Sequence, residues 1–229
     1  FLLSLIGVAL IRRPLQEPQA EQPPGHAAAM AEGLRFVFGD HFLRAVLLIA
    51  APLNFAIQGI IFTIIVTLQM HDTPPAVIGT VETIVAVGGL LGALAAPALV
   101  RRVRLPVLIR GICLAAAGFM ACSALLTSTV AAAVPVAAAV FLGPASNAAL
   151  FGHQAAITPD RLQGRVVSVV ITVATSVAAA APLLAGTLIT AWGSSVSILF
   201  FAAAVAISAV AASVSRSIRS MRPVAESVG

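Results

Sequence analysis

Apolar residues run along this chain in long stretches divided by short polar breaks. Six of them are Phe42–Leu68, Val77–Val100, Leu105–Thr127, Val130–Gly152, Val166–Ala191 and Val196–Val214. Each is close to or longer than the roughly 20 residues a helix needs to cross the hydrocarbon core of a bilayer. The breaks are His71-Asp72-Thr73-Pro74-Pro75, the run Arg101 to Pro106, the run Thr158 to Arg165, and Trp192-Gly193-Ser194-Ser195. The weakest break is Ser128-Thr129, where one long tilted helix is the alternative to two spans.

Ahead of these spans lies an apolar segment, residues 1–11, that ends at Arg12-Arg13. It is too short to span and lacks the basic start and small-residue cleavage site of a signal peptide. It is expected to be the end of a preceding transmembrane helix. The stretch from Gln16 to His26 is rich in Pro, Glu and Gln and reads as an irregular linker. From Ala27 to Phe38, Met30, Leu34 and Val37 fall at helical spacing, with Glu32 and Arg35 elsewhere on the surface. That pattern predicts a short amphipathic helix lying on the membrane surface; the alternative is an extension of the first span.

Composition points the same way. The chain is 60% apolar and 9% charged, with a mean hydropathy of +1.06, whereas soluble domains carry about a quarter charged residues. A soluble fold of this size has no means of hiding that much apolar surface.

Charge then orients the spans. All 13 bases are Arg. With six spans, Arg12, Arg13, Arg35, Arg44, Arg101, Arg102, Arg104, Arg110, Arg161, Arg165, Arg216, Arg219 and Arg222 all fall on one side. The opposite loops carry His71, Asp72, Ser128, Thr129 and Trp192, and no Arg. The positive-inside rule makes the Arg side cytoplasmic. The arginines are therefore topogenic, and a nucleic-acid partner is not expected. The resulting plan is a preceding helix end (1–11), a cytoplasmic loop with the amphipathic helix (12–41), a transmembrane bundle (42–214) and a cytoplasmic tail (215–229). Cys113 and Cys122 would lie about 13 Å apart on one helix, too far for a disulfide; they read as small buried apolar residues.

Three stretches carry a family resemblance. They are Glu32-Gly33-Leu34-Arg35-Phe36-Val37 leading to Leu43-Arg44, then Gly88-Gly89-Leu90-Leu91-Gly92-Ala93-Leu94 followed by Ala96-Pro97 and Arg101-Arg102, then Thr158-Pro159-Asp160-Arg161-Leu162-Gln163-Gly164-Arg165-Val166. In this order and spacing the chain resembles the C-terminal half of a major facilitator superfamily transporter, of the branch that includes macrolide-efflux and enterobactin-exporter-like proteins. The resemblance implies an all-α polytopic membrane fold in a bacterial inner membrane. It would be a six-helix bundle of two three-helix inverted repeats, half of a twelve-span transporter. The N-terminal six-helix bundle would be the missing partner. It further implies proton-coupled export of a small amphipathic compound by alternating access.

Several residues are candidates for that chemistry. Glu82 is the one acid inside an apolar span. Either it lines the outward mouth and binds a proton or a cationic substrate, or it reaches back to the outer interface, about 7 Å away along the helix. Asn54 and Gln58 share a helical face and either line a polar cavity or pair with neighbouring helices. Asn147, beside Ser146, has the same two readings. Thr172, Thr175 and Ser176 can bond their own helix carbonyls. Gly88 and Gly92 form a small-xxx-small pair suited to close helix packing. Pro97, Pro135, Pro144 and Pro182 interrupt or kink spans, with Gly143-Pro144 the expected bend. Thr158 or Asp160 is placed to cap the following helix. By resemblance Asp160, Arg161 and Arg165, with Arg101 and Arg102, form a cytoplasmic gate; otherwise they are topogenic charge. His26, His41, His71 and His153 show no metal-ligand spacing, and no nucleotide-binding or nucleophile motif is present, so neither a cofactor nor an enzyme activity is expected. Two other functions are open: a six-span permease subunit of an ATP-driven transporter, and a non-transporting membrane receptor or scaffold.

Overall fold

The computed structural model describes residues 26–102 and 105–214. The expected helix end at 1–11, the linker up to residue 25, Arg104, the side chain of Arg102 and the tail 215–229 lie outside the described residues. Every regular element among the described residues is helical: α1 (His26–Gly39), α2 (His41–Met70), α3 (Pro75–Arg102), α4 (Leu105–Ser123), a 3₁₀ turn (Val130–Ala132), α5 (Ala133–Phe141), α6 (Gly143–Ile157), α7 (Asp160–Ala179), α8 (Ala181–Trp192) and α9 (Ser194–Val214).

The amphipathic segment is a helix of its own, not an extension of the first span. The reason is Asp40, which adopts an extended backbone between α1 and α2. Its Oδ1 accepts hydrogen bonds from the backbone N–H of Phe42 and Leu43 at 2.8 and 2.9 Å. These are donors that the first turn of a helix otherwise leaves unpaired.

Four helical stretches are long and apolar enough to cross a membrane: His41–Met70, Pro75–Arg101, Val130–Ile157 and Asp160–Trp192. Two shorter apolar helices, Val107–Ser123 and Ser194–Val210, accompany them. The boundaries differ from the hydropathy reading in three places. The third stretch stops at Ser123, and successive turns carry the chain from Ala124 to Thr129, so Ser128-Thr129 separates two helices. The fourth runs on beyond Gly152 to Ile157, and the fifth starts at Asp160, ahead of Val166. Hydropathy truncates these ends because polar residues occupy them while the backbone hydrogen bonding continues.

Both of the last long stretches are broken near the middle. The break between α5 and α6 falls at Leu142, two residues before Pro144, and that between α7 and α8 at Ala180, two residues before Pro182. In each case proline stands in the first turn of the second segment. There its missing N–H costs nothing to the new helix but ends the hydrogen-bond ladder of the old one. Pro97 lies within α3, which continues through it.

Packing follows a simple scheme. α2 packs against α9, α7 and α8; the α5–α6 stretch packs against α3 and α4; α4 packs against α9; α1 lies on α7. The core forms two blocks. One gathers Val37, Leu43, Ile109, Leu150 and Val166 around the start of α2. The other gathers Ile60, Ile64, Met120, Val136 and Phe201 towards its far end.

Glycine sets the closest approaches. A Cβ on Gly88 would overlap the backbone of Ala137, and one on Gly92 the backbone of Phe141. The small-xxx-small pair thus brings α3 and α5 into backbone contact, the packing that works in lipid, where no hydrophobic force drives helices together. Of the two cysteines, Cys113 is buried and Cys122 is exposed, so the second is not the buried residue expected.

Candidate functional site

The polar candidates of the membrane-crossing helices stand on open faces. Asn54 and Gln58 are exposed on α2, Glu82 on α3 and Asn147 on α6. Asn54 Nδ2 donates to the backbone oxygen of Ala50 at 2.8 Å, one turn back on its own helix. Glu82, Gln58 and Asn147 make no side-chain hydrogen bond or ion pair among the described residues. No hydrogen bond links any two of the four. The same helices also expose apolar side chains, among them Leu48, Leu90 and Leu94, at 62%, 62% and 73% exposure. Among the described residues these four are therefore not the internal ties between helices.

The internal ties are hydroxyls. Thr63 and Thr67, buried in α2, bond Ser197 at 2.8 Å and Ser194 at 2.6 Å on α9. Thr63 and Thr67 also donate back to Gly59 O and Thr63 O. Ser123 donates to Ala132 O across the turn before α5, and Ser195 to Ala124 O. Buried hydroxyls in spans need such partners, since hydrocarbon offers none. Thr175 bonds its own helix at Ile171 O and Thr172 O, as the sequence reading allows.

The charged candidates behave differently. Arg161 Nη1 donates to Glu32 Oε1 at 2.7 Å, and Arg165 Nη1 donates to Glu32 Oε2. One carboxylate of α1 thus joins two guanidinium groups of α7. Gly33, the next residue, allows the approach: a Cβ there would stand 3.2 Å from Arg165 Cβ and 3.4 Å from Val169 Cγ2. Asp160 takes no part. Its Oδ1 accepts from Gln163 Nε2 at 3.0 Å. Nor does it cap α7: Pro159 holds the N-cap position without a side-chain hydrogen bond, and Thr158 Oγ1 turns back to Gln154 O at 2.7 Å. Proline's extended backbone already directs the chain into the helix, so neither side chain is required there. Arg101 is exposed and makes no ion pair among the described residues.

Sequence reasoning missed two participants. Glu32 appeared only as a polar position of an amphipathic helix, and nothing in the linear sequence ties it to residues about 130 positions away. Gln154 lay beyond the expected end of the fourth span. It is 2% exposed, yet its Oε1 is fully buried without a hydrogen-bond partner among the described residues. It lines an open cavity of about 330 Å³ between α6 and α7, with Phe151 and Thr158 on one wall and Gln163, Val167 and Ile171 on the other. Asn147 precedes Phe151 by one turn on the same helix face. A second groove, of about 240 Å³, separates Met30 and Leu34 of α1 from Ser168 and Thr172 of α7.

The fold and the open polar faces define the class: an all-helical protein with several helices able to cross a membrane. Comparison with family models, with curated proteins and with solved structures gives no match to this chain.

Proposed function

We propose that this chain is half of a secondary transporter, a six-helix bundle of the major facilitator type that moves a small amphipathic compound by alternating access, driven by protons. The observation that carries the reading is the pairing of helices. Let α2, α3 and α4 exchange places with α5–α6, α7–α8 and α9. The α2–α9 contact then maps onto the contact of α5–α6 with α4. The contact of α2 with α7–α8 maps onto that of α5–α6 with α3, and α4–α9 maps onto itself. Pairing of this kind is what two three-helix inverted repeats produce. The matched proline breaks before Pro144 and Pro182 do not obey this exchange, so the two repeats differ in where their helices bend.

Three further features support the reading. Asn54, Gln58, Glu82 and Asn147 stand on open faces, where a second bundle would enclose a polar path. The Glu32 bridge ties the segment entering this bundle to α7, the place where a gate between cytoplasmic helix ends would act. The one-sided charge supports a cytoplasmic side for the Arg-bearing ends, as an inner-membrane transporter of this type would have.

The test is transport by the full-length protein in a bacterial strain lacking its main efflux pumps. Expression should lower accumulation of ethidium or of a macrolide several-fold, and a protonophore should abolish the difference. Equal accumulation with and without the protein, across a panel of amphipathic compounds, would remove the reading.

A further inference from the structure

We infer that the groove between α1 and α7 is a binding site for an anionic glycerophospholipid, which lays one acyl chain in the groove and sets its phosphate against Arg161 and Arg165. The groove changes polarity along α7 in the order such a lipid requires. Arg165 lines its start, Ser168 and Val169 come next, and Thr172 and Val173 line its far end. From Gly164 to Val173 the helix rises about 14 Å. Met30 and Leu34 of α1 form the opposite wall, and they stay 66% and 41% exposed although α1 lies on α7. Arg161 stands one turn before Arg165 on the same face of α7. Asp160 is turned about 100° away from Arg161 around the helix, where it accepts from Gln163.

Charge selects the headgroup. Glu32 accepts at both carboxylate oxygens, from Arg161 at Oε1 and from Arg165 at Oε2. Each guanidinium has further N–H donors beyond the one it gives to Glu32. Two cations and one carboxylate leave a net positive charge at the start of the groove, which favours a phosphodiester and disfavours an added ammonium. Basic pockets beside membrane helices hold anionic headgroups in this way. Hydroxyls come next. Thr63, Thr67, Thr83, Thr175 and Thr190 each donate to a carbonyl of their own helix. Thr172 does not, and neither its hydroxyl nor that of Ser168 makes a hydrogen bond among the described residues. Both can donate to the ester carbonyls, which follow the phosphate in such a lipid. A volume of about 240 Å³ holds part of one acyl chain, so the second chain stays in the bilayer.

The test is fluorescence quenching in the full-length protein, with its tryptophans, Trp192 among them, replaced by Phe and a reporter introduced by Phe38→Trp. Phe38 is exposed on α1, one turn beyond Leu34. The vesicles are dioleoylphosphatidylcholine with about a tenth of the lipid brominated on its chains, either as phosphatidylglycerol or as phosphatidylcholine. Brominated phosphatidylglycerol should bind beside this reporter about fivefold more tightly. A reporter introduced by Val107→Trp, exposed on α4 near Arg110, should see little difference between the two lipids. Ser168→Phe, at an exposed position in the groove, should erase the preference and leave the melting temperature unchanged. Arg161→Gln, which leaves Arg165 on Glu32, should remove most of it. Equal quenching by the two lipids beside α1 overturns the inference. So does a preference that survives Ser168→Phe or Arg161→Gln, and so does an equal preference at Val107→Trp, which would mean general attraction to an Arg-bearing surface. Where Ser168→Phe does not fold, the comparison of the two reporters and Arg161→Gln still decide. None of these readouts needs transport, so this site and the transport reading fail separately.

Discussion

The ring of Phe201 on α9 fills the space in which a side chain at Gly59 of α2 would stand. Phe201 is fully buried and also meets the ring of Phe55, with centroids 5.1 Å apart. Two helices distant in sequence therefore interlock at a residue with no side chain. Gly59→Ala should overpack this contact and destabilise the protein by about 1–3 kcal/mol. Thermal unfolding in detergent would measure it, and adding Phe201→Leu to Gly59→Ala should recover part of the loss. Additive losses would mean that the two residues do not share one space.

Gly88, Gly89 and Gly92 offer an internal comparison within one helix. Alanine at Gly88 or Gly92 would meet backbone atoms of Ala137 or Phe141, which cannot swing aside, whereas alanine at Gly89 would rest 3.5 Å from Val140 Cγ1. Gly92→Ala should lower the yield of folded protein on size-exclusion chromatography, and Gly89→Ala should not. The same response from both would show that α3 and α5 are held apart.

The Glu32 carboxylate joins Arg161 and Arg165 at partly exposed positions, with 35% of the Glu32 side chain accessible. Surface ion pairs contribute only about 0–1 kcal/mol each, and salt weakens them. Glu32→Gln should therefore leave the bundle folded but release α1 from α7. Limited proteolysis between α1 and α2 should become several-fold faster, and high salt should bring the unmodified protein towards the same rate. A proteolysis rate indifferent to both changes would mean that apolar packing at Gly33 and Val37, not charge, holds the helix down.

Thr63 and Ser197 share one buried hydrogen bond at 2.8 Å. Interhelical hydrogen bonds of this kind in membrane proteins couple by about 0.6 kcal/mol on average. A double-mutant cycle with Thr63→Val and Ser197→Ala should return a coupling of about that size. A coupling near zero would show that each hydroxyl is satisfied elsewhere, Thr63 by Gly59 O.

Glu82 is exposed on α3 and makes no ion pair among the described residues. Glu82→Gln should therefore leave thermal stability within about 0.5 kcal/mol, and the transport proposed above predicts that proton-driven flux in the full-length protein falls. Unchanged flux would mean that Glu82 is a carboxylate resting at the outer interface.

The sequence by itself determined the class of this protein and the course of its helices. Apolar length and the spacing of polar breaks are local properties, and a backbone in hydrocarbon must close its hydrogen bonds within its own helix. The amphipathic helix was legible from Met30, Leu34 and Val37 for the same reason, and the Gly88/Gly92 approach from residue size alone. Only the tertiary structure decided who meets whom. Glu32 finds Arg161 and Arg165, Gly59 receives Phe201, and Thr63 meets Ser197 across separations of more than a hundred residues, through contacts that periodicity along one helix cannot encode. Gln154 was hidden by its chemistry: hydropathy places a glutamine at the end of a span, whereas packing of α6 against its neighbours buries it with its Oε1 unpaired.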